Sequence, residues 1–229
     1  AGAIRLAAEA AFRAGAGLVR VATHPDSVDS VMAGRAEVMC QGTTTPEALE
    51  KLLVDSAAVV LGPGLGQSEW AKRASAQVLE SELPVILDAD GLNLLSETRQ
   101  TRDNWILTPH PGEAARLLRT DTASVQADRL GAAVRLAGTY GGVAVLKGAG
   151  TLVTTGVDSI SLCDRGNPGM ATAGMGDVLA GLLGGLAVQG GDLQSVAQAG
   201  VLIHAACGDA AAASQKYEKR VYRSLSCLL

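Results

Sequence analysis

Residues 57–66 read AAVVLGPGLG. Ala57 to Leu61 are apolar without alternation, and Gly62 to Gly66 hold three glycines around Pro63 and Leu65. A strand with no polar face is buried on both sides, as in a parallel sheet covered by helices. The same unit recurs downstream. Pro84–Leu87 runs into Asp88-Ala89-Asp90-Gly91-Leu92-Asn93, Trp105–Leu107 into Thr108-Pro109-His110-Pro111-Gly112-Glu113, and Val143–Leu146 into Lys147-Gly148-Ala149-Gly150-Thr151. Upstream, Gly17–Ala22 reads as a further strand, stopped by Pro25. Thr151–Thr155 and Ser159–Leu162 read as a hairpin around Gly156. Helical spacing places Ile4, Ala7, Ala8, Ala11 and Phe12 on one face, and predicts helices over Trp70–Ser81, Glu113–Leu118, Ser124–Ala137 and Leu193–Ala213. The expected fold is a single α/β domain with a mostly parallel central sheet flanked by helices. Ligands of such sheets bind beyond the carboxyl ends of the strands. The glycine- and proline-rich segments just quoted lie at those ends.

Composition narrows the function. The 229 residues are 48% hydrophobic and carry a formal net charge of -4, which excludes a disordered chain. With 19 Lys+Arg against 23 Asp+Glu there is no basic excess for nucleic acid, and six aromatics give few stacking platforms. Cys40, Cys163, Cys207 and Cys227 are far apart, with no CxxC and no paired His, so neither a zinc motif nor a disulfide framework is present. They read as small hydrophobes in a reducing, cytoplasmic compartment. The apolar stretch Val178–Val188 is too short to span a bilayer. Glycine is the outlier, with 28 residues, well above the usual ~7%.

The most informative segment is GNPGMATAGMGDVLAGLLGGL, residues 166–186. Gly174, Met175 and Gly176 precede a long apolar helix expected to begin about Asp177. Inward-turned amides at a helix N-terminus make an anion hole for a phosphoryl group. A Walker A loop is absent. Asp177 reads either as an ordinary N-cap or as a carboxylate placed for proton transfer or a metal. Gly62-Pro63-Gly64-Leu65-Gly66 is half of a dinucleotide fingerprint and equally a tight turn. Asp88 and Asp90 sit one strand period apart, a spacing suited to magnesium, a polar substrate contact or a ribose. His110 is held between two prolines at a strand end, with Glu113 placed to cap the next helix. Lys147 followed by Gly148-Ala149-Gly150-Thr151 suits a phosphate or ribose, or else is a turn with a solvated lysine. His204, in an alanine-rich helix, reads as a packed core histidine.

The order of these segments is more specific than any one of them. GAGLVRV (15–21), LGPGLG (61–66), ILDADGLN (86–93), LTPHPGEAARLL (107–118), LKGAGT (146–151) and the 166–186 segment together closely resemble the ADP-dependent NAD(P)H-hydrate dehydratases of the ribokinase-like superfamily. The resemblance runs from about Ala1 to Ala213 and implies a ribokinase-like three-layer sandwich. It implies a repair enzyme that removes water added across the 5,6 double bond of NADH or NADPH, consuming ADP (or ATP). By the same resemblance, the nucleotide contacts fall on Lys147, Gly148, Ala149, Gly150, Thr151 and Gly176, and the hydrate contacts on Ala3, Gly64, Gly66, His110 and Asp177. Asp177 is then the base, Gly174 to Gly176 the anion hole, and Asp88, Asn93, Glu113 and Asn167 are further candidates. Mg2+ is the expected companion of the phosphates, its protein ligands unassigned. A homo-oligomer is expected too, as is an epimerase domain fused in the native chain.

Members of this family carry a strand and glycine-rich turn before the position of Ala1, so residues 1–213 are expected to form the domain without its first strand. Residues 214–229 read as an atypical tail. Two other readings share the anion hole. One is a ribokinase-like kinase of a small alcohol, such as a thiazole or pyrimidine precursor, and the other is a non-catalytic nucleotide-binding fragment. A Rossmann dehydrogenase is opposed by the fragmentary GxGxG and its absent acidic partner.

Overall fold

The computed structural model describes residues 1–214; the rest of the expected tail, 215–229, lies outside the described residues. Six strands form the main sheet: β3 (Val59–Leu61), β4 (Val85–Leu87), β5 (Trp105–Leu107), β6 (Val143–Leu146), β7 (Thr151–Gly156) and β8 (Ser159–Cys163), in that spatial order. The first four run parallel, and β6 to β8 form an antiparallel meander. β1 (Arg20–Thr23) and β2 (Met39–Gly42) make a separate parallel pair. Residues of β1 and β3 line one largely apolar cavity of about 450 Å³, with Ala7, Ala11, Leu49 and Val78 among its other walls.

Strand alternation divides the core into two layers. Leu61, Val85, Leu87, Leu107, Ala144 and Leu146 pack with residues of α4 (Glu69–Glu80), α5 (Asp90–Thr98), α6 (Pro111–Leu118), α7 (Thr122–Ala127) and α8 (Arg129–Tyr140). Ile86, Ile106, Val143 and Val145 face α9 (Met175–Ala187) and α10 (Leu193–Ser214). This is the expected sandwich, with helices on both faces of an apolar sheet. α1 (Gly2–Arg13) lies directly on α9. A Cβ on Gly181 would sit 2.0 Å from the Ala7 carbonyl oxygen, and one on Gly185 2.4 Å from that of Ala11. These glycines recur every fourth residue, so one stripe of α9 admits the backbone of α1.

Several elements differ from expectation. β2 has no apolar run and an alternating exposed edge, so hydrophobicity did not mark it. α3 (Pro46–Val54) is capped by Thr45, which accepts from the Ala48 amide. The expected helix 124–137 is broken at Asp128, whose carboxylate caps α8 by accepting from the Gly131 amide at 2.8 Å. α10 is long and apolar enough to cross a membrane by length and composition, with mean hydropathy 1.3. Its alanines and its Val, Leu and Ile residues carry that value, and Val196, Ala197, Gly200, Val201 and Ala205 are buried.

Candidate active site

The carboxyl ends of β4, β5 and β6 converge with the start of α9. That start is Met175, not Asp177: the N-cap is Gly174, at φ 91, with no side-chain cap. Asp177 is therefore the third residue of the first turn, and the N-cap reading is corrected. The reason is conformational, since Gly174 supplies the left-handed turn that starts the helix two residues early. No side chain caps this first turn, Met175 N–H donates to the Thr172 carbonyl at 3.4 Å, and the helix dipole favours an anion at the turn. Leu6 of α1 closes one wall, because a Cβ on Gly174 would meet its Cδ1 at 2.6 Å.

Lys147 leaves β6 and places its Nζ 2.5 Å from Asp88 Oδ1 and 3.7 Å from Glu113 Oε2. A Cβ on Gly176 would lie 3.2 Å from that Nζ and 3.5 Å from Asp88 Oδ2. The lysine ammonium, the Asp88 carboxylate and the first turn of α9 thus share one small space. Burial foremost, then the Asp88 charge, raises the Asp177 carboxyl above the usual aspartate range, while Lys147 opposes the rise. The Asp177 carboxylate is a stronger base than a solvated one.

The structure separates Asp88 from Asp90. The strand ends at Leu87 and Ala89 takes φ 47, ψ -116, so period-two spacing stops applying. Asp88 turns to Lys147 and to the Thr108 hydroxyl, which donates at 2.9 Å. Asp90 accepts from the Gly66 amide at 2.9 Å and from Asn93 Nδ2 at 3.3 Å. Asn93 in turn accepts from Arg116, so it supports α5 and α6. The pair does not form the joint magnesium or ribose site considered from spacing. Gly64 lies against α1, where its Cβ would touch the Ala3 methyl at 3.4 Å. Ala3 and Gly64 therefore come together, and Gly66, two residues on, faces open space.

His110 is the N-cap of α6. Its Nδ1 accepts from the Gly112 amide at 3.0 Å, and Glu113 accepts from the His110 amide at 2.7 Å. With Nδ1 an acceptor, the ring proton belongs on Nε2, which lies 3.5 Å from Glu113 Oε1 on an exposed ring. The Lys147–Thr151 loop bends through Gly148 at φ 142 and Gly150 at φ 68. Arg129 braces it from α8, donating to the carbonyls of Leu146, Lys147 and Gly150. Asn167 supports the approach to the anion hole: its Nδ2 donates to Asp209 at 3.0 Å and its Oδ1 accepts from the Gly169 amide. Burial lowers the basicity of His204, the Met175 backbone opposes, and Nε2 has no hydrogen-bond partner, which fits a packed histidine behind the first turn of α9.

Sequence reasoning missed Arg129, Thr108 and Asp209. Arg129 opens a helix like any solvated arginine, and Asp209 acts on Asn167 from 42 residues away. Thr108 alone had a local signal, a polar residue at the end of a fully buried strand. No group of three His, Cys, Asp or Glu side chains among the described residues could hold a metal ion. Asp88 and Glu113 already accept from Lys147, Thr108 and His110, so this donor set does not fit a protein-held cation.

Comparison with known proteins gives consistent results. Residues 1–228 match the family model described as NAD(P)H-hydrate dehydratase. The chain is 53% identical over 211 residues to the bifunctional NAD(P)H-hydrate repair enzyme of Coxiella burnetii, covering 92% of this chain and 43% of that protein. It is 43% identical over 217 residues to the ADP-dependent (S)-NAD(P)H-hydrate dehydratase of Neisseria meningitidis serogroup B, covering 91% and 72% respectively. Among solved structures it is similar to the ADP/ATP-dependent NAD(P)H-hydrate dehydratase of Bacillus subtilis, co-crystallized with ATP/Mg2+, at TM-score 0.80, 28% identity and 94% and 80% coverage. The chain spans under half the length of the first bifunctional relatives it matches.

Proposed function

The chain belongs to the NAD(P)H-hydrate dehydratase family, and from that premise we propose that it dehydrates the S-epimer of NADH or NADPH hydrate, converting ADP to AMP and phosphate. The observation that carries this reading is Asp177, a carboxylate of raised proton affinity in the uncapped first turn of α9, beside Lys147.

The chemistry follows from the leaving group. Hydroxide leaves poorly, and phosphorylation improves it. Asp177 takes the proton of the hydrate hydroxyl as its oxygen attacks the terminal phosphorus of ADP. The bond to the bridging oxygen breaks and AMP departs. The amides of Gly174 to Gly176 and the Lys147 ammonium stabilise charge on the transferring phosphoryl. The ring nitrogen lone pair then expels phosphate, and loss of the C5 proton restores the double bond. Hydrate plus ADP gives NAD(P)H, AMP and phosphate. His110 Nε2–H orients the hydrate beside Ala3, Gly64 and Gly66, and the Lys147–Thr151 loop receives the nucleotide. We read magnesium as arriving with the nucleotide, held by phosphate oxygens and water rather than by a protein cage.

Among the described residues Cys40, Cys163 and Cys207 are free thiols, which favours a reducing, cytoplasmic compartment. The exposed Leu202 and Ile203 on α10 favour a homo-oligomer. The apolar lining of the β1–β3 cavity supports an absent first strand of residues 1–213. The bifunctional names of relatives favour a fused epimerase domain.

Phosphorus NMR of the products tests the reaction. Dehydration gives AMP and inorganic phosphate in equal amounts. A stable phosphoester identifies a small-alcohol kinase instead, and bound but unconsumed nucleotide identifies a non-catalytic module.

A further inference from the structure

We propose that Asp88 is the positioning residue of this site, its carboxylate holding the Lys147 ammonium against the first turn of α9 beside the base Asp177. The inference rests on the dehydratase reading for its consequence, and on geometry for its substance.

Asp88 is 2% exposed and Thr108 0%. The position of Asp88 is over-determined by its surroundings. Its amide donates to the Leu61 carbonyl at 3.1 Å, its carbonyl accepts from the Gly91 amide at 3.0 Å, and its Oδ1 accepts from Thr108 at 2.9 Å. Gly62 passes so close that a Cβ there would lie 1.7 Å from the Asp88 carbonyl oxygen. A carboxylate fixed this firmly makes a fixed anchor.

Lys147 needs one. A cation at a helix N-terminus faces the positive end of the dipole. Left unpaired, the ammonium would turn to solvent. Asp88 at 2.5 Å, with Glu113 behind at 3.7 Å, holds it where an incoming phosphoryl group would meet it. The converse also holds, since a buried carboxylate without a cationic partner is strongly disfavoured.

The same charge acts on Asp177. Groups in the neighbourhood are Asp88 at the end of β4, Lys147 at the end of β6, Glu113 in α6 and His204 in α10. Asp88 raises the Asp177 carboxyl and Lys147 lowers it. Removing the Asp88 charge leaves Lys147 unopposed, so Asp177 becomes a weaker base.

Two substitutions separate charge from tether. Asp88→Asn keeps an oxygen for Lys147 and loses the charge; Asp88→Ala loses both. Carbon-13 NMR follows the Asp177 carboxyl titration without requiring turnover, AMP calorimetry follows the nucleotide site, and NAD(P)H formation gives kcat. In Asp88→Asn, the Asp177 midpoint moves to lower pH, kcat falls about tenfold and AMP affinity stays within about threefold. In Asp88→Ala, AMP affinity falls a further tenfold or so. An unmoved Asp177 titration in Asp88→Asn overturns the inference, as does equal AMP affinity in the two variants. If the wild type forms no NAD(P)H, the dehydratase reading fails by itself, and the titration and calorimetry still decide the role of Asp88. If Asp88→Ala does not fold, Asp88→Asn alone decides, by whether the Asp177 titration moves.

Discussion

His110 and Glu113 cap one another: Glu113 accepts from the His110 amide at 2.7 Å, and His110 Nδ1 accepts from the Glu113 amide at 3.4 Å. This reciprocal cap makes His110 structural through Nδ1; its Nε2–H lies 3.5 Å from Glu113 Oε1, and in the proposed dehydratase reading it turns to the hydrate. Asparagine is a good N-cap, so His110→Asn keeps the helix start and loses only the Nε2 donor. Thermal stability stays within about 0.5 kcal/mol of wild type, while KM for the hydrate rises about tenfold. Glu113→Ala does the reverse for stability, costing about 1 kcal/mol through loss of the cap. Differential scanning fluorimetry beside steady-state kinetics separates the two.

The pH dependence of turnover follows from Asp177. Its carboxyl is raised by burial first and by Asp88 second. A base must be ionised to accept a proton, so kcat falls on the acid side with a midpoint above the ordinary aspartate value of ~3.9. The stability sign is opposite. A raised carboxyl contributes stability fully present below its unfolded pKa and lost as pH rises through its folded pKa. Asp177→Asn therefore melts higher than wild type at neutral pH while losing activity. Equal or lower melting, with the fold intact, would contradict this.

The segment from Gly166 to Gly174 is tied down by Asp209, which accepts from the Gly166 amide and from Asn167 Nδ2, both at 3.0 Å. Those hydrogen bonds, Asn167 first, hold the Asp209 carboxyl below its usual range. A depressed carboxyl contributes stability present above its unfolded pKa and lost as pH falls through its folded pKa. Asp209→Ala is expected to raise hydrogen exchange of residues 166–174 at neutral pH and to lower kcat about tenfold. Wild-type exchange there should approach that of the variant only in acid.

Gly181 and Gly185 make the close packing of α1 on α9 testable. Because a Cβ on Gly181 would lie 2.0 Å from the Ala7 carbonyl oxygen, Gly181→Ala must move α1 off α9. A loss of about 2–3 kcal/mol in urea unfolding is expected, despite the better helix propensity of alanine. Gly138 in α8 has nothing within 4 Å of a Cβ, so Gly138→Ala serves as the control and does not destabilise.

Much of the fold was legible because β3 to β6 are uninterrupted apolar runs ending in glycine or proline turns. β2 escaped because an exposed edge strand needs no apolar run. The helix break at Asp128 escaped because the apolar spacing continues through it, while the cap acts only on the Gly131 amide. At the site, motif order grouped Lys147, His110, Glu113 and Asp177. It could not show that Asp88 and Asp90 part company, since that depends on the backbone of Ala89. Nor could it place Asp177 inside the helix, which depends on the left-handed turn at Gly174.

The most direct test of the account is absorbance at 340 nm with purified protein, NADH hydrate, magnesium and ADP, run for wild type and Asp177→Asn, with AMP binding measured on both. The account predicts an ADP-dependent rise in wild type and a loss of about a hundredfold or more in Asp177→Asn, which still binds AMP. No rise in wild type that binds AMP, or an undiminished rise in Asp177→Asn, would contradict it.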